Sequence, residues 1–244
     1  MQDRIRAFLV HFFLSTIIVS IAIFFVCYLW YPAPLGRAIG VWDVLLLIAV
    51  VDIVLGPVLT FVVFDKSKSS LFWDLSFIAL LQLSALFYGV WTCFEGRPAW
   101  IVFDEKRFEL VRALDLDHRG LDEALPRYQK PSSWGVQWVA AIEPAEVSKR
   151  NEILWESALI GVELSMRPEF YQELSAAELT ISSAMRGLEE LKLFNKPGDV
   201  AIALRKWPKA QAWLPLKANK HSMTVLLDDH SKPLGVVDLK PWDE

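Results

Sequence analysis

The residues of this chain most able to do chemistry lie within long apolar segments. Asp52 falls inside the apolar run Val41–Phe64, and Gln82 falls inside the run Leu75–Phe94. Each helical residue rises about 1.5 Å, so Asp52 is expected about 16 Å from the start of its helix, close to the middle of a bilayer. An ionisable group at that depth costs at least ~2.5 kcal/mol and usually has a partner on another helix. We expect Gln82, on an antiparallel neighbour, to meet Asp52 at one depth.

Gly56 and Pro57 follow Asp52 by about one helical turn. A glycine lets another helix approach closely, and a proline lacks a backbone N–H and favours a kink. Together with Asp52 and Gln82 they predict a polar intramembrane site, called the Asp52 site below. Three interpretations stay open: an internal lock in which a protonated Asp52 bonds Gln82, a docking place for a partner in the membrane, and a proton-binding carboxylate in a transport path.

Other polar residues of the apolar segments are expected to serve packing. A single histidine in such a segment, here His11, is more often a satisfied packing residue than a ligand. Cys27 and Cys93 fall near the same ends of their helices, where an oxidising compartment could join them, although two unrelated thiols are the simpler expectation. Further candidate hydrogen-bond partners within the bundle are Ser15, Thr16, Thr60, Ser76 and Ser84.

The rest of the chain, residues 95–244, carries no recognisable catalytic constellation. It contains no G-x-S-x-G, Walker loop, H-E-x-x-H or C-x-x-C motif. The segment Leu114–Gly120 resembles a fragment of a calcium loop but lacks the remaining ligands. Four histidines and two cysteines in the whole chain leave little material for a metal centre. We therefore predict that the protein is no enzyme and holds no metal and no cofactor.

Three segments must position the Asp52 site, and each is long enough to cross a bilayer, which takes about 20 helical residues. They are Phe8–Trp30, Val41–Phe64 and Leu75–Phe94. The first is followed by Tyr-Pro-Ala-Pro rather than by the small residues of a signal-peptide cleavage site, so it is expected to be retained. With 54% hydrophobic residues, the chain has the composition of a membrane protein embedded in the lipid bilayer.

Basic residues in the short flanking segments predict the orientation. Arg4 and Arg6 precede the first segment and Lys66 and Lys68 lie between the second and third, whereas only Arg37 lies in the remaining loop. Lys and Arg are retained on the cytoplasmic side. This predicts a multi-pass membrane protein with a cytoplasmic N-terminus and with everything after Phe94 outside, which in a bacterium is the periplasm. The net charge of −4 argues against a nucleic-acid partner.

The fold class predicted is therefore a three-helix transmembrane domain, residues 1–94, followed by a mixed α+β periplasmic domain, residues 95–244. Alternating and β-branched patterns predict β-hairpins at both ends of the second domain. Their strands are Trp100–Phe103 with Arg107–Val111, and Met223–Leu227 with Leu234–Leu239. A further strand is expected within Trp134–Ile142, a helix within Pro144–Ile160, and a helix of four turns after a capping box at Ser175.

Motifs spread over nearly the whole chain resemble the type IV pilin accessory proteins of the TfpX/TfpZ family. The resemblance is looser between about Asp115 and Asn219, and Lys106 stands where an acidic residue is expected. The runs that carry it are WYPAPLGRAIGVW, D-x-x-L-G-P-x-L-T from Asp52 to Thr60, K-S-S-L-x-x-D-L from Lys68 to Leu75, the segment Lys106–Val111, and the closing LGVVDLKPW.

The resemblance implies a non-enzymatic inner-membrane protein that stabilises its cognate type IV pilin or assists its assembly into pili. It implies pilin as the partner and leaves self-association open. Two other classes of function remain as alternatives from the residues alone. One is a membrane receptor with a periplasmic ligand-sensing domain, which lacks an evident output domain. The other is a small proton-coupled transport component that uses Asp52.

Overall fold

Three long helices carry the apolar segments of the chain. The computed structural model describes residues 1–243. Its helices long and apolar enough to cross a membrane are Gln2–Trp30, Trp42–Val63 and Leu71–Glu95, called the first, second and third span below. Most of their apolar side chains are exposed, which suits helices surrounded by lipid.

Two of the spans change their helical hydrogen-bonding pattern partway along. The first is α-helical over Gln2–Phe25 and becomes a π-helix over Val26–Trp30. The second is α-helical over Trp42–Ala49 and Gly56–Val63, with a π-helix over Val50–Leu55 between them. The third span is α-helical throughout. A π-helical turn inside an α-helix often marks a functional site.

The chain forms two compact units. The first consists of Met1–Tyr31 and Val41–Gly96, and so contains all three spans. The second consists of Pro32–Gly40 together with the residues from Arg97 onward. We expected one boundary, between residues 94 and 95. The loop between the first two spans was not predicted to pack with the globular unit.

A mixed β-sheet organises the globular unit. The strands are β1 (Pro98–Asp104), β2 (Arg107–Arg112), β3 (Gln137–Ala141), β4 (Tyr171–Glu173), β5 (Arg186–Gly187), β6 (Ala212–Lys217), β7 (Met223–Leu227) and β8 (Pro233–Val237). The strand order in the sheet is β4-β3-β1-β2-β6-β7-β8, with β5 paired to β6. Strand β1 is parallel to β3 and β2 is parallel to β6, whereas the other pairs are antiparallel.

The helices of the globular unit are α1 (Leu35–Ile39), α2 (Val147–Ile160), α3 (Glu178–Ala184), α4 (Leu191–Phe194) and α5 (Pro197–Arg205).

Both faces of the sheet are covered. Alternate side chains of the strand β1 point to opposite faces, and the side chains on each face are buried. Ile101 and Phe103 join one buried cluster, and Trp100 and Val102 join another. All four are at most 2% exposed. A strand buried on both faces reads as a continuous apolar run, and β1 does so from Ala99 to Phe103.

Helix α1, from the loop between the first two spans, supplies part of this core. Leu35 and Ala38 are 3% and 0% exposed and belong to the cluster that contains Ile101. The carbonyl of Ala38 accepts hydrogen bonds from the backbone N–H groups of Lys220 and His221, at 3.0 and 3.1 Å. The loop is therefore an integral piece of the globular unit.

Most of the predicted elements are confirmed, and one is wrong. Both hairpins form, β1 with β2 and β7 with β8, and β3 and α2 lie within the predicted ranges. The expected four-turn helix instead ends at Ala184. Arg186 and Gly187 pair with β6, and the indole N–H of Trp213 donates to the Gly187 carbonyl at 2.9 Å. Glycine is a poor helix former, so pairing with β6 prevails over continuation of the helix.

Candidate functional site

The π-helix around Asp52 leaves one backbone carbonyl without a donor from its own helix. The N–H of Gly56 bonds to the Val51 carbonyl, five residues back, and not to Asp52. The next residue, Pro57, has no N–H to offer. The carbonyl of Asp52 therefore lacks a donor from either residue. The side-chain amide of Gln82, on the third span, donates to it at 3.0 Å.

Close packing between the second and third spans depends on Gly56. A Cβ atom at this position would overlap the side-chain amide of Gln82. Only a residue without a side chain lets the amide lie against the helix backbone and reach the carbonyl one turn earlier. Gly56 and Pro57 are both buried. The local sequence thus both creates the unpaired carbonyl and makes room for the group that satisfies it.

The side chain of Asp52 lies on the buried face of the second span. This face follows helical spacing, with Leu45, Ile48, Asp52, Gly56 and Thr60 all buried. Asp52 is 4% exposed, and its Oδ2 atom has no hydrogen-bond partner among the described residues. A buried oxygen without a partner costs free energy comparable to a lost hydrogen bond.

A cavity of about 190 Å³ adjoins the carboxyl group, and we call it the cleft. Asp52 and Gln82 are part of its wall, and most of the other lining side chains are apolar. The first span contributes His11, Leu14, Ser15, Ile18 and Val19, and the third span contributes Ala79, Gln82, Leu83 and Leu86. All three spans therefore border the cleft.

Two other polar residues of the bundle, His11 and Thr16, have the partners expected of packing residues. The imidazole Nδ1 of His11 lies 2.6 Å from the Thr60 hydroxyl, which ties the first span to the second. The Thr16 hydroxyl donates to the Phe12 carbonyl of its own helix at 2.7 Å. Cys27 and Cys93 are free thiols.

The structure brings together Asp52, Gly56 and Gln82, with Pro57 next along the chain. The hydrogen bond runs from the Gln82 amide to the backbone carbonyl of Asp52, and Oδ2 has no partner among the described residues. The three interpretations of the site stay predictions. Sequence reasoning missed the π-helix. Its available signal was Pro57, since any proline inside a helix leaves a carbonyl without its usual donor.

A second group of charges lies in the globular unit, around the buried carboxylate of Glu109. Arg107 donates to Glu109 Oε1 through Nε and Nη2, at 2.8 and 2.6 Å, and the Ser165 hydroxyl donates to Oε2 at 2.6 Å. Lys217 donates to both carboxylate oxygens of Glu163, at 2.6 and 2.7 Å. Burial favours the neutral form of Glu109, but its hydrogen bonds and the Lys217 charge outweigh burial and lower the pKa.

Asp104, at the end of β1, lies beside this group without a close cation of its own. Burial raises the pKa of Asp104 to about 7, and the nearby charges of Glu109 and Glu105 add to the effect. The Arg107 charge opposes it only in part. Within the described residues, no group of three or more His, Cys, Asp or Glu side chains could hold a metal ion.

Three helices long and apolar enough to cross a membrane, a cleft among them and a mixed-sheet unit define the class: a helical protein of membrane-spanning composition that carries a globular domain. Comparison with known proteins narrows this class. The model of the fimbrial assembly protein FimB family matches residues 1–40. Three curated relatives from Dichelobacter nodosus match as well.

These relatives cover almost the whole chain. The fimbrial assembly proteins of serogroups I and E1 are each 27% identical over 243 residues, which is 96% of this chain and 94% of each relative. That of serogroups C1 and C2 is 31% identical over 116 residues, or 47% of this chain and 86% of the relative. No solved structure matches the chain. The chain belongs to the family of fimbrial assembly proteins, which confirms the resemblance to pilin accessory proteins.

Proposed function

We propose that this protein is a non-enzymatic accessory factor of the inner membrane that binds its cognate type IV pilin and stabilises the subunit before or during assembly into pili. The observation that carries the proposal is the match to fimbrial assembly proteins over 96% of the chain. That match includes both compact units, so the spans and the globular domain are each proposed to contribute to the role in assembly.

The contacts of the loops support three membrane crossings. Three crossings place residues 32–40 on the same side as the chain after residue 96, and these segments share one core. They also place the N-terminus on the same side as the loop between the second and third spans. Arg4 pairs with Asp65 at 3.4 Å, and Lys66 pairs with Asp3 at 2.8 Å.

We propose that the N-terminus is cytoplasmic, because basic residues are concentrated on that side. The test uses single cysteines at Ser67 and Ser133, both exposed, in a chain without Cys27 and Cys93. An impermeant thiol reagent added to intact spheroplasts should label the Ser133→Cys variant and not the Ser67→Cys variant. The opposite pattern would reverse the orientation.

The role in assembly is tested by removing the gene and measuring pilin in membranes and pili on the cell surface. The proposal expects membrane pilin to fall several-fold, because an unprotected subunit is degraded, and both quantities to return on complementation. Pilin messenger RNA serves as the control for altered expression. Unchanged pilin and unchanged pili in the deletion strain would contradict the proposal.

A further inference from the structure

We infer that the cleft receives a membrane-embedded helix of the partner, and that this helix presents an uncharged hydrogen-bond donor to the carboxyl group of Asp52. The inference rests on the proposed function in taking pilin as the partner. It goes further in naming where the partner is held and by what chemistry.

The carboxyl group of Asp52 has an oxygen, Oδ2, without a hydrogen-bond partner among the described residues. One N–H of the Gln82 amide donates to the backbone carbonyl of Asp52. The neighbouring His11 is directed to Thr60, at 2.6 Å. In lipid, polar groups without partners are costly because no water replaces the missing bond. The bundle thus retains a buried carboxyl group whose hydrogen bonding its own residues leave incomplete.

The cleft gives a partner side chain access to that carboxyl group. Asp52 lines the cleft, and the torsion of a carboxyl group about χ2 is soft and roughly two-fold. A half-turn about χ2 exchanges the two oxygens, so either one can be presented to the cleft. The volume of about 190 Å³ has room for an inserted side chain rather than for a whole helix. The occupant is accordingly a side chain on a helix that lies over the cleft.

The walls of the cleft are mostly apolar. Leu14 and Ile18 of the first span and Leu83 of the third border the cleft and are exposed on the surface of the bundle. An apolar helix covers such walls, and one polar side chain on it satisfies Asp52. A lipid acyl chain would fill the same space but has no donor. The combination of apolar rim and buried carboxyl group selects a helix that carries a single hydroxyl, amide or protonated carboxyl group among apolar residues.

Photo-crosslinking in cells tests the inference. The crosslinker replaces Leu83, which borders the cleft, or Leu80, which is similarly exposed on the same span but lies away from the cleft. Pilin should be captured from position 83 and only at background level from position 80. Each is measured with Asp52, with Asp52→Asn and with Asp52→Leu, at matched protein levels.

The two substitutions separate hydrogen bonding from packing. Asparagine keeps a side-chain oxygen that accepts a hydrogen bond, whereas leucine has none. We expect Asp52→Leu to reduce pilin capture at position 83 about fivefold, in line with the loss of one intramembrane hydrogen bond, and Asp52→Asn to retain most of it. Equal capture in all three proteins would overturn the inference, as would equal loss in both variants.

A matched pair of variants tests the cleft without touching Asp52. Ala79→Phe should fill the cleft and lower capture, whereas Ser84→Phe, on an exposed site of the same span outside the cleft, should leave it unchanged. Capture of lipid alone or of a second copy of this chain at position 83 would overturn the inference. Those results could occur while the deletion strain still loses pilin, in which case the proposed function stands and only the docking site fails.

Discussion

The side-chain amide of Gln82 donates a hydrogen bond to a backbone carbonyl of a different helix, which has no donor from its own helix. The π-turn moves the Gly56 N–H to Val51, and Pro57 has no N–H, so the Asp52 carbonyl depends on Gln82. An intramembrane hydrogen bond of this kind contributes on the order of 1 kcal/mol, and leaving a buried carbonyl unpaired costs about as much again.

Replacement of Gln82 by leucine should therefore destabilise the three-span unit by about 1–2 kcal/mol. Leucine has a similar volume but offers no donor to the Asp52 carbonyl. The measurement is the thermal unfolding of the purified protein in detergent micelles. Ser84→Leu, an exposed change on the same span, is the control and should leave the midpoint unchanged. Equal midpoints for both variants would exclude the proposed role of the amide.

Asp104 makes the stability of the globular unit depend on pH. Its folded-state pKa of about 7 lies above its ordinary value of 3.8, so between these values the folded protein binds the extra proton. Stability should consequently fall as the pH rises from about 4 to 7, and should then level off. This sign is opposite to that of a carboxylate held in an ion pair.

Asp104→Asn should remove this component of the pH dependence and stabilise the protein at pH 8 by about 1–2 kcal/mol, a value reduced for partial solvent screening. Unfolding midpoints of the variant and the parent, measured from pH 4 to pH 8, give the comparison. The two proteins should converge at the acidic end. A constant difference across the range would show that Asp104 does not titrate in this interval.

At the scale of elements, helix α1 is a short segment between two spans that completes a distant core. Leu35 is 3% exposed in the same cluster as Ile101 and Leu214. Arg37 adds an ion pair with Asp238 at 2.6 Å, although both side chains are largely exposed and contribute little. The globular unit therefore depends on a piece of chain that precedes it by two spans.

Truncation of Leu35 to alanine should destabilise the globular unit by about 2–4 kcal/mol, because it opens a cavity in the core. The exposed neighbour Ala33, changed to glycine, is the control. Limited proteolysis of detergent-solubilised protein should cleave the Leu35→Ala variant faster within residues 97–243. Equal cleavage rates would mean that the burial of Leu35 in α1 does not stabilise the globular unit.

The elements also show which features a sequence can reveal. The spans, both hairpins, β3 and α2 follow from apolar length and from alternation, which are local signals. The end of α3 at Ala184 depends on the pairing of Arg186 and Gly187 with β6, and the burial of Leu35 depends on strands far along the chain. Asp52, Gly56 and Gln82 were predicted to meet because mid-membrane polarity is rare. The backbone contact was missed because it needs the π-turn, which has no simple periodicity.

At the scale of the whole molecule, the protein joins a cleft among three apolar helices to a globular domain within one chain. We propose that the cleft offers a helix of pilin a place at Asp52. Both compact units fall within the match to fimbrial assembly proteins. Loss of either unit should therefore impair assembly.

The proposed binding of pilin by this protein in the membrane is tested most directly by co-isolation. The tagged protein is purified in mild detergent from cells that make pilin, and pilin is quantified relative to a tagged membrane protein of similar abundance with no role in pili. We predict enrichment of pilin with the parent chain and with Asp52→Asn, and a loss of about fivefold with Asp52→Leu. Recovery of pilin no greater than with the unrelated protein would show that this protein does not bind pilin.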